Sequence, residues 1–156
     1  MRDIELNQLE RGDFFFLAAK ASVSHVLKLG YVLDINDLVL SYICIENDWR
    51  GFKISQKLKI KQTILTTFKI NETIVPDELK LALFTNQHNF IKEPDKDFFN
   101  QKLELNKTYL VAKHENNQSR LVKVKMVEQR NNYCYFMDIN EKLIRTSALS
   151  RIVRLD

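Results

Sequence analysis

Arg120-Leu121-Val122-Lys123-Val124-Lys125-Met126-Val127-Glu128-Gln129 is the stretch on which the fold class turns. Val122, Val124 and Met126 alternate with Lys123 and Lys125, a period of two that puts apolar residues on one strand face and cations on the other. A helix brings residues together every third or fourth position, so lysines two apart do not form a helical stripe. The same grammar continues on both sides. Thr108 to Lys113 precedes the stretch across the turn Glu115-Asn116-Asn117-Gln118, and Tyr133 to Ile139 follows it across Arg130-Asn131-Asn132. Asn140-Glu141 then turns into Leu143 to Thr146, and Ser147 to Val153 suits a short helical turn before a final strand.

Upstream the pattern is similar. Phe14 to Lys20 follows the turn Arg11-Gly12-Asp13. Val26 to Ile35 carries Gly30, the mark of a bulge or a close approach. Asn36-Asp37 turns into Leu38 to Ile45, which is rich in β-branched and aromatic residues. Phe52-Lys53-Ile54-Ser55 opens a fourth strand. From Lys57 to Ile70 one continuous alternation sets Leu58, Ile60, Ile64, Phe68 and Ile70 against Lys57, Lys59 and Lys61. Pro76-Asp77-Glu78 predicts a short helix to Phe84, because Pro suits a first turn and acids suit the positive end of the helix. Thr85 to Asn100 reads as a polar linker pinned to a core by Phe98-Phe99.

Composition bounds the function classes. The 156 residues are 45% hydrophobic and 28% charged, enough to bury a core in one domain or two small ones. No apolar run approaches the ~20 residues of a membrane span. Met1-Arg2-Asp3-Ile4-Glu5 places acids where an export signal has a basic segment, so no export signal is expected. Cys44 and Cys134 sit singly in alternating apolar stretches, as buried reduced thiols do, which points to a reducing, cytoplasmic setting. The net charge of +4 is too mild to indicate a nucleic-acid partner by itself.

The two halves repeat one grammar. Leu9-Glu10 leads into Phe14 to Lys20, and Leu103-Glu104 leads through Tyr109 into Ala112-Lys113. On this reading Tyr42-Ile43-Cys44 aligns with Tyr133-Cys134-Tyr135. The rival alignment of Asp34-Ile35-Asn36-Asp37 with Asp138-Ile139-Asn140-Glu141 leaves the first half one strand short. Short, bent antiparallel strands in each half favour two small barrels, since closure removes exposed edges.

At this point residues 103–155 resemble a Tudor domain. Ala112 matches the family's first strand, Val122-Lys123-Val124-Lys125-Met126 its second, Phe136-Met137-Asp138-Ile139-Asn140-Glu141 its Phe-x-Asp-Tyr-Gly-Asn motif, and Leu149-Ser150-Arg151-Ile152 its closing turn. The family's cage holds a methylated cation between aromatic faces. Here Val122 and Ile139 replace two cage tyrosines and Asn140-Glu141 replaces Gly-Asn, so Phe136 remains, with Tyr109 and Tyr133 as substitutes. The first half is similar to SH3-like immunity proteins of bacterial toxin systems through Gly12-Asp13-Phe14-Phe15 and Gly30-Tyr31-Val32. That likeness implies an inhibitor that binds a toxin or nuclease. The expected architecture is mainly β: an SH3-like domain over 1–75, a helix and linker over 76–100, and a Tudor-like barrel over 101–156.

No nucleophile elbow, phosphate loop, dinucleotide fingerprint or zinc signature is present. His25, His88 and His114 stand singly, and Asp34, Asp37 and Asp48 read as turn formers. The expectation is therefore a non-enzymatic module with no cofactor or metal that docks a protein or peptide. Its expected contacts are Tyr42, Trp49, Tyr109, Tyr133, Phe136 and Asp138. The alternative is a nucleic-acid binder that uses Lys57, Lys59, Lys61, Lys123, Lys125 and Arg145, with rings beside them for stacking.

Overall fold

The computed structural model describes residues 2–4, 9–20, 25–48, 51–60, 67–85, 96–115, 118–130, 133–146 and 152–155. The chain is mainly β, with two antiparallel sheets and one described α-helix. The first sheet holds β1 (Arg2–Ile4), β2 (Phe14–Lys20), β3 (His25–Ile35), β4 (Val39–Asp48), β5 (Gly51–Ile60) and β6 (Thr67–Ile70), in the order β1-β6-β2-β3-β4-β5. A 3-10 turn at Glu72–Ile74 and helix α1 (Asp77–Thr85) follow. The second sheet holds β7 (Thr108–Glu115), β8 (Gln118–Arg130), β9 (Tyr133–Met137), β10 (Leu143–Thr146) and β11 (Ile152–Arg154), in the order β10-β9-β8-β7-β11. Among the described residues, no helix is long and apolar enough to cross a membrane.

The alternation expected to run unbroken from Lys57 to Ile70 is divided between β5 and β6, which lie on opposite sides of β2, β3 and β4. Parity alone does not reveal that break, because a chain can leave one strand and join another without losing its period. The helix begins where Pro76-Asp77-Glu78 places it, with two acids in its first turn.

Both sheets follow one plan. Four strands meander, and a fifth returns to the free edge of the first: β6 to β2 in one unit, β11 to β7 in the other. The ladders that join the first three strands of each meander match rung by rung at a constant offset. Phe14 faces Tyr31 as Thr108 faces Lys125, and Val32 faces Tyr42 as Met126 faces Phe136. Each second strand has its irregularity at the same place, between Val32 and Asp34 and between Met126 and Glu128. Each lead-in turn places a positive-φ residue before the first strand, Gly12 (φ 90°) and Asn106 (φ 65°), tied to the second strand by backbone bonds to Val32 and Met126. This register corrects the alignment read from sequence. Tyr42 corresponds to Phe136 rather than to Tyr133, and Cys134 corresponds to Leu40 rather than to Ile43.

Each unit packs its inner face. Leu9, Phe15, Leu17, Val32, Leu40, Tyr42 and Cys44 form the core of the first. Their counterparts Leu103, Tyr109, Val111, Met126, Cys134 and Phe136, with Val124 and Ile152, form that of the second. A third core lies between the sheets. The outer face of the first (Phe14, Phe16, Leu27, Leu29, Ile45, Phe68, Ile70) clusters with Val75, Leu79 and Leu83, with Phe98 and Phe99, and with Leu110, Leu121 and Val153 of the second. Phe98 and Phe99 thus anchor the connecting segment, Phe98 edge-on to Phe16 at 5.5 Å between ring centroids. The described ladders leave both sheets open, at β1 and β5 and at β10 and β11, where closed barrels were expected. The returning strands are short: β11 has three residues, roughly 10 Å of chain, and pairs with β7 alone.

Candidate docking surface

The aromatic residues expected to touch a partner separate by strand parity. Tyr42, Tyr109 and Phe136 are buried. Phe15 meets Tyr42 edge-on at 5.6 Å, and Tyr109 meets Phe136 at the same separation. The Tyr109 hydroxyl accepts a hydrogen bond from the Glu104 amide at 2.9 Å, so its polar end is satisfied inside the second core. Asp138 caps a turn: its Oδ1 accepts hydrogen bonds from the amides of Asn140 and Lys142, both at 2.9 Å. Tyr133 is 40% exposed. No aromatic box forms among the described residues, because Tyr109 and Phe136 face the core and Tyr133 faces away from it. Trp49 and Lys61 lie outside the described residues. Of Lys57 and Lys59 only the backbone is described; they stand at register positions opposite Tyr42 and Leu40.

Burial has a titration consequence. Removal from water pushes the Tyr42 phenol up to about 12 from 10.0, and Cys44 adds to the rise. Burial pushes Tyr109 in the same direction, against its hydrogen bond with the Glu104 backbone. The unfolded chain therefore releases the Tyr42 proton first. That contribution to stability is full below pH 10 and is lost as pH rises through 12. Urea unfolding at pH 8, 10 and 12 should show a falling midpoint, with a shallower fall in Tyr42→Phe.

The residues of opposite parity build a surface. Cross-strand partners share a sheet face, and three rungs lie side by side on the outer face of β8, β9 and β10. Lys125, Met137 and Leu143 form the first, Glu128, Tyr135 and Arg145 the second, and Arg130 with Tyr133 the third. Leu143 is 60% exposed, and Ile139 at the tip of the β9–β10 turn is 92% exposed. Tyr135 and Met137 are half-buried. The Arg145 guanidinium lies over the Tyr133 ring, 4.7 Å from its centroid, a cation–π contact that links the second and third rungs. Glu128 accepts hydrogen bonds from Arg130 at 2.6 and 3.1 Å. The exposed cations Lys125 and Arg145 therefore flank an apolar strip whose one carboxylate, on these rungs, is already paired. Lys123, one rung further along β8, lies with its ammonium 5.8 Å from the Phe68 ring at the margin of the inter-sheet core.

Sequence reading named Lys125, Tyr133 and Arg145 but missed Tyr135, Met137 and Leu143. The signal was available. Phe136 is on the core side, so its neighbours at 135 and 137 must point the other way.

Away from this face, a groove of about 690 Å³ is lined by Gly12–Phe14, Lys69–Ile74 and Leu155. Its Asp13 and Lys69 pair with each other at 3.3 Å, so it offers no concentrated charge of one sign. Among the described residues, no three His, Cys, Asp or Glu side chains are grouped to hold a metal ion. The chain matches no family model, no curated protein and no solved structure.

Proposed function

We propose that this chain is a non-enzymatic binding module of two Tudor/SH3-like units, which docks a partner protein through the outer face of β8–β10 in the second. The shared strand order and the bulged second strands support the assignment of the units. The reading of function is carried by one observation: an apolar strip with exposed Tyr133 and Leu143, flanked by Lys125 and Arg145, on the outer face of β8–β10. Aromatic and arginine side chains together are what protein interfaces concentrate at their centres.

Affinity capture from native cells provides the test. Tyr133→Ala combined with Arg145→Glu should reduce recovery of a defined partner by about tenfold or more, the effect of losing an interface anchor. Both side chains are exposed, so the fold should be unaffected. Unchanged recovery sinks the assignment of this face.

A second reading rests on the same Arg145–Tyr133 stack: a nucleic-acid strand whose bases lie on Tyr133 and Tyr135. It predicts binding to an oligonucleotide that weakens steeply between two salt concentrations, since each neutralised phosphate releases a counterion. The protein reading is preferred because Met137 and Leu143 offer aliphatic contact rather than base stacking.

A further inference from the structure

The two units share a plan, yet their outer faces end differently, and the difference identifies an occupant. On the first unit, Tyr31 and Ile43 are half-buried and pack against the cluster that contains Val75, Leu79 and Leu83 of the α1 region. The Phe84 ring of α1 stands edge-on to Tyr31, centroids 5.4 Å apart and planes at 82°. By register, Tyr31 corresponds to Lys125 and Ile43 to Met137. The rung of the first unit that meets α1 through Tyr31 is therefore, on the second, the rung of exposed Lys125, half-buried Met137 and exposed Leu143.

We infer that this strip receives an amphipathic helix of a partner protein, apolar on the docked side and acidic along its flanks, in the pose that α1 takes on the first unit. The inference rests on the docking reading above. Width agrees: three neighbouring strands span about 10 Å, the diameter of one helix with its side chains. Charge agrees as well. Lys125 stands where the first unit has Tyr31, and Arg145 stands one rung away, so carboxylates on the incoming helix gain partners that α1 does not need on its own unit. The resident helix shows the required apolar spacing, with Leu79 and Leu83 four residues apart on one buried face.

The probe is a synthetic peptide of residues 72–85, used alongside a more acidic version with Lys80→Glu. Each is titrated into the isotope-labelled full chain and followed by amide NMR. The expected result is saturable shifts at residues 133–137 and 143–145, a gain of helicity in the peptide, and tighter binding by the Lys80→Glu version. Arg145→Glu in the protein should weaken binding about tenfold, and Leu79→Asp with Leu83→Asp in the peptide should abolish it. Absence of shifts on this strip with both peptides, or shifts confined to the first unit, overturns the helix inference. The docking reading then stands or falls separately on the capture experiment with Tyr133 and Arg145. Equal shifts of the strip by a single-stranded oligonucleotide overturn both in favour of nucleic acid.

Discussion

Asp97→Ala should destabilise the protein by roughly 3–5 kcal/mol, the largest effect expected of any single side chain outside the three cores. Asp97 is fully buried. Its Oδ1 accepts hydrogen bonds from the amides of Phe99 at 3.0 Å and Gln101 at 2.8 Å, and its Oδ2 accepts one from the amide of Arg154 at 2.8 Å. One carboxylate thus shapes the turn that presents Phe98 and Phe99 to the inter-sheet core and ties that turn to β11. Alanine would leave three backbone donors without this acceptor in a place where water cannot easily replace it. Asn should recover only part of the loss, because it keeps one acceptor oxygen and turns an amide N–H₂ toward another donor. Urea unfolding gives the magnitude, and amide exchange at Arg154 gives the location. A loss below about 1 kcal/mol for Ala would falsify the role assigned to this residue.

The second large effect concerns Gly30. Phe15 lies across it, and a Cβ placed on residue 30 would collide with Cζ of that ring and stand 2.6 Å from Cε1 and 3.0 Å from Cε2. Phe15 is fully buried and also meets Tyr42, so it has no open direction in which to retreat. Gly30→Ala should therefore cost about 2–3 kcal/mol, even though Ala is ordinarily the better strand residue. Trimming the ring should relieve the collision. Phe15→Leu with Gly30→Ala should be less destabilised than the sum of the two single changes by about 1 kcal/mol, read from thermal or urea unfolding of all four proteins. Strict additivity would show that the ring and the glycine do not meet. The second unit solves the same rung differently, with Tyr109 opposite Val124.

Much of this fold is legible in the residues, for a physical reason that also explains the failures. Alternation reports burial on one face, so the strands around Val122, Val124 and Met126, and those of the first unit, lie close to where their patterns place them. Pro76-Asp77-Glu78 marks the helix start because capping preferences are local. Register is not local. Aligning Tyr42-Ile43-Cys44 with Tyr133-Cys134-Tyr135 relies on residue type, whereas the true correspondence follows the bulge and the positive-φ turn, which Gly12 and Asn106 achieve with different residues. The described aromatics offered as contacts divide for the same reason. A tyrosine in a strand reads alike on either face until its rung is known, and the rungs put Tyr42 and Tyr109 inside and Tyr133 outside. The groove of Asp13 and Lys69 could not be read at all, since it joins residues from distant stretches of chain.

The matching rungs carry an implication for how such a chain acquires new work. Building one pattern twice gives the second copy a wall whose inward side is already sealed and whose outward side is engaged by the first copy only around Leu110, Leu121 and Val153. On the remainder, a lysine and a methionine occupy the rungs that a tyrosine and an isoleucine hold in the first copy, so the inward scaffold tolerates a change of charge and shape outside without a change of register.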